Sequence, residues 1–191
     1  MRKKSPKARR EKPQPFENTI HWIDTFTDWI GRTVAWLIVP LTLGLTWEVI
    51  SRYGFDAPTI WAYDMSYMLY AALFMLGCAY ALHKGGHIRT DIFWEKWSVR
   101  RKSTVDLIAY VVFFFPAIIM LLASSVDEAY YAWSIAEQSE QTAWRPALWP
   151  LKSLVPLTMF LLLVQGISEL LKVLHAVRTG KLFEKKEGFE V

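Results

Sequence analysis

Four long apolar runs constrain this chain more than any other feature. They are Thr33–Trp47, Met65–Leu82, Leu107–Val126 and Ser153–Ser168, and none of them contains a charged residue. A helix needs about 20 residues to cross the hydrocarbon core of a bilayer. Leu107–Val126 has that length by itself, and the other runs reach it with a few flanking residues. The chain is therefore predicted to be an all-α integral membrane protein with four transmembrane helices.

The amino-acid composition agrees with a membrane domain. Of the 191 residues, 53% are hydrophobic and ten are tryptophan, which is rare in a soluble domain of this length. The lone Cys78 excludes a disulfide framework and is predicted to be a small buried apolar residue. The predicted membrane domain covers residues 16–180, with spans at about 32–53, 59–83, 104–127 and 151–175. Ser103–Asp106 is predicted to be a capping box that begins the third span.

The distribution of lysine and arginine predicts the orientation. The segment through Arg32 carries 8 of these residues, the central loop Lys84–Lys102 carries 6, and the chain from Lys172 onward carries 5. With four crossings, 19 of the 22 fall on one side of the membrane. Because positive loops stay on the cytoplasmic side, both termini are predicted to be cytoplasmic.

The two ends of the chain are predicted to lie outside the membrane. Residues 1–15 are basic and contain proline, which predicts a disordered tail against anionic lipids of the inner leaflet. Residues 181–191 are predicted to be a cytoplasmic tail. The sequence pI of about 9.1 does not indicate a nucleic-acid-binding protein, because the basic residues flank apolar runs and do not line a polar face.

Two amphipathic segments are expected beside the spans. Residues 16–30 predict a helix that lies in the membrane interface and turns into the bilayer near Gly31-Arg32; the alternative is the first turns of a longer membrane helix. A short amphipathic segment is expected in the central loop. The tryptophans predicted to anchor the chain at the interfaces are Trp22, Trp29, Trp61, Trp94 and Trp97.

A polar motif opens the central loop. Gly85 and Gly86 are expected to end the second span, because glycine tolerates backbone angles that a helix does not. His87, Arg89 and Asp91 follow them directly. His87 is expected to form a local hydrogen bond and is not expected to bind a metal.

Three charged residues near the ends of the first two spans are the main site candidates. Glu48 and Arg52 are four apart and share a helix face, and Asp64 enters the next span from the same side. Such groups form a tie between helices, contact a partner subunit, or bind an ion or substrate. The first two interpretations are favoured. Gln165 and Glu169 form a second pair with the same spacing near the end of the fourth span.

The sequence contains no motif that predicts catalysis. It has no phosphate-binding loop, no HExxH, no nucleophilic serine motif and no zinc-ligand spacing. No histidine pair lies at the matched depths that a haem between helices requires. The chain is therefore not expected to be an enzyme or to hold a cofactor. The open alternatives are a self-sufficient small transporter or channel, and a membrane anchor of a redox complex.

Several short motifs resemble one family in their order and spacing. They are Trp47–Tyr53, Ala57–Trp61, Asp64, Ala81–Leu82 and Gly85–Asp91. This set resembles the small membrane subunit of tripartite ATP-independent periplasmic (TRAP) transporters, the DctQ-like family. The usual acidic pair after the tryptophan is reduced here to Asp64 alone.

The resemblance implies a function and a set of partners. The partners would be a large membrane subunit, DctM-like, and a periplasmic substrate-binding protein, in the bacterial inner membrane. The large subunit would move organic acids with a sodium gradient, while the small subunit would be a static scaffold and a docking surface. The loop Arg145–Lys152 resembles a subgroup associated with 2-oxo acids and related organic acids.

Overall fold

The computed structural model describes residues 15–85 and 97–180, and these residues are helical apart from short connections. Four helical stretches are long and apolar enough to cross a membrane: Phe16–Gly54, Ala62–His83, Val99–Ser134 and Trp149–Thr179. The prediction of an all-α chain with four potential spans is confirmed. Apart from Pro15, which begins α1, both predicted tails lie outside the described residues, as do Gly86, His87, Arg89, Asp91 and Trp94 of the central loop.

The helices in chain order are α1 (Pro15–Ala35), α2 (Ile38–Gly54), α3 (Ala62–His83), α4 (Val99–Ile108), α5 (Phe115–Ser134) and α6 (Trp149–Thr179). A π-helical segment, Ala109–Phe114, joins α4 to α5. We call the end of the bundle where α1 begins and α3 and α6 end the terminal end. The other end, with the connections 55–61 and 135–148, is the loop end.

The first span is interrupted later than the sequence suggested. α1 continues through Gly31 and Arg32 to Ala35, so the predicted turn near these two residues is wrong. The interruption is caused by Pro40, which has no N–H for the Trp36 carbonyl and whose ring clashes with it. The N–H of Val39 donates a hydrogen bond to that carbonyl instead, at 3.1 Å.

The third span also begins elsewhere. α4 starts at Val99, so the predicted capping box at Ser103–Asp106 lies inside the helix and caps nothing. The hydroxyl of Thr104 donates to the carbonyl of Arg100 one turn earlier, at 2.9 Å. The π-helical segment ends just before Pro116. A wider turn there accommodates the missing N–H of the proline.

α6 is the central helix of the bundle. It packs against α1, α3, α4 and α5, whereas α2 packs mainly against α3. The π-helical segment packs closely against α6 at Gly166, where an added Cβ would lie 2.5 Å from Cε1 of Phe114. The apolar core lies beside this contact and comprises Ala79, Leu82, Leu161 and Leu162. The most apolar stretch of α4–α5 has no fully buried residue, so that span lies on the outside of the bundle, with Phe114 and Ile118 packed against the core.

Candidate functional site

Among the described residues, the largest group of buried and partly buried polar side chains lies at the terminal end, where α1, α3 and α6 meet. We call it the terminal cluster. It consists of Asp24, Thr27, Asp28, His83, Lys84, Gln165, Ser168, Glu169 and Lys172. α1 reaches this position because it runs antiparallel to the end of α6 and approaches α3 closely at Gly31, where any side chain would overlap the ring of Tyr80. The cluster therefore joins the first helix to the rest of the bundle.

Lys172 supplies the positive charge inside the terminal cluster. Its ammonium group lies 2.8 Å from Asp24 Oδ2 and 2.7 Å from Glu169 Oε1. The hydroxyl of Ser168 also donates to Asp24, at 2.8 Å. All three charged side chains are largely buried. Since isolated charges are costly in such surroundings, each of these groups depends on the others.

Gln165 lies at the centre of the terminal cluster and is fully buried. Its amide oxygen accepts a hydrogen bond from the hydroxyl of Thr27 at 2.7 Å. Its amide nitrogen lies 3.1 Å from Asp24 Oδ1, 3.0 Å from Glu169 Oε1 and 3.3 Å from His83 Nδ1. The amide carries only two hydrogens, so it satisfies two of these three neighbours at a time.

The end of α3 contributes the remaining members of the terminal cluster. The imidazole of His83 is almost completely buried, with Nδ1 3.3 Å from Asp24 Oδ1. Lys84 is half-exposed, and its ammonium lies 2.6 Å from Asp28 Oδ1. Arg32, which is exposed, pairs with the other oxygen of Asp28 at 2.8 Å. α1 is thus tied to α3 by both of its aspartates.

Three members of the terminal cluster have the chemistry of metal ligands. One oxygen or nitrogen atom from each of Asp24, His83 and Glu169 lies within 4.8 Å of the other two. However, the ammonium of Lys172 already pairs with both carboxylates at 2.7–2.8 Å. An ion at the same position would have to displace this lysine. The arrangement therefore suits an internal ion-pair network better than a metal site.

A cavity of about 370 Å³ opens beside the terminal cluster. Its polar lining combines Lys84, His83 and Tyr110 with the carboxylates of Asp106 and Glu169. A lining of mixed charge does not select for an anionic substrate, because each base lies near an acid. The cavity thus gives no indication of a carboxylate-binding site.

At the loop end, Glu48 and Arg52 form the ion pair that their spacing predicts. Nε of Arg52 donates to Glu48 Oε1 at 2.9 Å, and a second guanidinium nitrogen donates to the same oxygen. The other oxygen of Glu48 accepts from the backbone N–H of Thr59 at 3.0 Å and from its hydroxyl. This pair therefore fixes the connection between α2 and α3.

Asp64 does not join that ion pair, so the three charged candidates do not form one tie between the helices. The side chain is fully buried, and its carboxylate accepts hydrogen bonds from Ser139 Oγ at 2.6 Å and from the hydroxyl of Thr142. Among the described residues, no ion pair reaches Asp64. Asp64 points towards the 135–148 connection, where the hydroxyl of Ser139 bonds one of its oxygens and the hydroxyl of Thr142 bonds the other.

The 135–148 connection is held at several points. Two backbone hydrogen bonds of 2.8 Å close it, from Ser139 N–H to the Pro146 carbonyl and from Leu148 N–H to the Glu137 carbonyl. Lys152 places its ammonium 2.6 Å from both Glu128 and Glu137. With the bonds to Asp64, these contacts give the loop end a fixed shape.

The remaining predicted residues fall in three groups. Trp22, Trp29 and Trp97 are exposed and Trp61 is half-buried, so their role as interfacial anchors stays a prediction. Gly85 adopts a φ of 71° just after the end of α3, a conformation that favours glycine. The rest of the central-loop motif and Trp94 lie outside the described residues.

Sequence reasoning missed most of the terminal cluster. The Gln165–Glu169 pair was identified, but Asp24, His83 and Lys172 were not connected with it. One signal was present: Asp24 shares a helix face with Ile20 and Thr27, and a carboxylate between residues of a buried face calls for a partner.

Comparisons with known proteins agree with these features. The family model described as tripartite ATP-independent periplasmic transporters, DctQ component, matches residues 41–176. The chain is also 26% identical over 71 residues to the sialic acid TRAP transporter small permease protein SiaQ of Vibrio cholerae serotype O1. That match covers 37% of this chain and 41% of the relative. The chain therefore belongs to the DctQ component family of tripartite ATP-independent periplasmic transporters, and is a multi-pass protein of the bacterial inner membrane.

Proposed function

We propose that this small permease subunit is a static scaffold for the large membrane subunit of a sodium-coupled transporter for organic acids. We also propose that its loop end helps to dock a periplasmic substrate-binding protein. The family is a component of transporters, and no enzymatic activity is proposed.

The observation that carries the scaffold proposal is the position of the charged residues. None occurs in the apolar stretches 38–47, 65–82, 107–126 and 153–168. The charged groups of the described residues lie at the two ends, and most of the buried ones are neutralised within the chain. A path for an anion needs polar groups or broken helices near mid-membrane. These spans therefore suit support better than conduction.

The docking proposal rests on the fixed shape of the loop end. The bonds of Asp64, the Glu48–Arg52 pair and the bridging Lys152 hold both connections without help from another protein. A surface that is already ordered loses little conformational entropy when a partner binds. The loop end thus offers a preorganised platform for a soluble protein.

Reconstitution tests the scaffold proposal. Vesicles that contain this chain alone, with a binding protein and an inward sodium gradient, are expected to take up no organic acid. Vesicles with both membrane subunits are expected to show sodium-dependent uptake, and the large subunit alone much less. Uptake by this chain alone would contradict the proposal, because it would make the chain a transporter in its own right.

The orientation of the chain is a separate proposal with its own measurement. Reporter fusions after residues 55 and 140 are expected to report a periplasmic location, and fusions after residues 95 and 185 a cytoplasmic one. This result follows from the 19 lysines and arginines at the terminal end and its flanking segments. A periplasmic signal at residue 95 would exclude the four-span topology with cytoplasmic termini.

A further inference from the structure

The outward side of α3 carries a regular line of side chains. Tyr63, Tyr67, Tyr70, Phe74, Gly77 and Ala81 follow one another at alternating spacings of four and three residues. We call this line the α3 seam. At 100° per residue it lies opposite Ala79, which faces the core. The four aromatic residues are between 52% and 64% exposed, so nothing in the described part of the chain covers the seam.

The spacing of the α3 seam is the pattern by which helices pack side by side. An alternation of three and four residues keeps a line of side chains facing one partner helix at a small crossing angle. The side chains of the seam are bulky near the loop end and small near the terminal end. A Cβ added at Gly77 would have no atom within 4 Å, so a neighbouring helix can approach closely there.

The hydroxyl groups of the α3 seam distinguish it from a lipid-facing surface. Tyr70 lies eight residues into α3, about 12 Å along the helix axis, which places it well inside a hydrocarbon core of about 30 Å. Lipid tails offer its hydroxyl no hydrogen-bond acceptor. The side chains exposed between Val111 and Leu121, on the π-helical segment and the first part of α5, carry no hydroxyl, whereas the exposed Ser124, Tyr130 and Tyr131 of α5 lie nearer the loop end.

We propose that the α3 seam is where a transmembrane helix of the large subunit packs, and that α5 faces lipid. The inference rests on the proposed function for the identity of the partner. The occupying helix has small residues opposite the tyrosines and offers backbone or side-chain oxygens to their hydroxyl groups. It comes closest to α3 beside Gly77 and Ala81.

The test compares two substitutions of a small residue by leucine, at the half-buried Gly77 and at the exposed Ala123. Gly77→Leu fills the seam at its closest approach, whereas Ala123→Leu makes a similar change on exposed α5. When each variant is co-expressed with the large subunit from the same genome, Gly77→Leu is expected to reduce the co-purified large subunit about tenfold, because inserted bulk strains a packed contact. Ala123→Leu is expected to leave the yield unchanged. Both variants alone should unfold at the wild-type temperature.

Photo-crosslinking supplies a second measurement with a matched control. A photoreactive phenylalanine analogue replaces Phe74 of the seam or Phe113 of the π-helical segment, which are 64% and 69% exposed. Position 74 is expected to crosslink to the large subunit and position 113 is not. Two results would show that the seam proposal is wrong when the wild-type subunits assemble. One is that position 74 crosslinks to a second copy of this chain, and the other is that Gly77→Leu assembles normally with the large subunit. If the wild-type chain does not co-purify with the large subunit at all, the proposed function fails first.

Discussion

Replacing Lys172 with methionine is expected to destabilise the isolated subunit more than any other single charge removal. The change keeps most of the side-chain length but leaves Asp24 and Glu169 largely buried without their shared cation. Breaking a buried ion pair by removing one partner costs about 3–5 kcal/mol. For a chain of this size the Tm should fall by about 10 °C or more, as measured by thermal unfolding in detergent.

Arg32→Met is the matched control for that experiment. Arg32 also pairs with an aspartate of α1, at 2.8 Å, but its side chain is 72% exposed, against 19% for Lys172. An exposed pair contributes about 1 kcal/mol or less, so the Tm of this variant should hardly change. The double variant Lys172→Met/Glu169→Gln should regain part of the loss, because it removes one of the two stranded charges. Equal Tm values for Lys172→Met and Arg32→Met would show that the terminal cluster is not a buried network.

The periodicity and charge pattern predicted the helices well but not their interruptions. Apolar runs without charges identify a span because a bilayer leaves the backbone few alternatives to a helix. Pro40 and Pro116 were both visible in the sequence. Whether a proline breaks a helix or is accommodated within it depends on its neighbours. Pro40 produces a break, whereas the helix continues through Pro116 after a π-helical segment. Sequence spacing alone does not contain that information.

The candidate site was only partly predictable for a related reason. Glu48 and Arg52 meet because they are four apart on one helix, which fixes their distance. Asp64 finds its partners 75 and 78 residues away, and Asp24 bonds Ser168 across 144 residues. Such pairs depend on which helix faces meet. In the terminal cluster that choice depends on Gly31, which lets α1 approach α3 closely enough for Asp24 to reach His83.

The geometry at the loop end separates the three charged candidates there. If Arg52 served both acids, its loss would be the most damaging. Instead Arg52 is half-exposed and pairs with Glu48 alone, so Arg52→Ala should cost about 1 kcal/mol or less. Asp64 is fully buried and holds the 135–148 connection through Ser139 and Thr142.

Asp64→Ala is therefore expected to be the worse change, at about 2–3 kcal/mol, because it leaves two hydroxyl donors without their acceptor. Asp64→Asn should be milder, since an amide of the same shape still accepts one hydrogen bond and the other hydroxyl can rotate to accept from its N–H. Thermal unfolding ranks the three variants. Limited proteolysis adds a local measurement, because release of the connection should expose the 135–148 segment to cleavage in Asp64→Ala but not in Arg52→Ala. If Arg52→Ala were the less stable variant and Asp64→Ala left the connection protected, the principal tie at the loop end would be the ion pair with Glu48, and Asp64 would be dispensable for the shape of the docking surface.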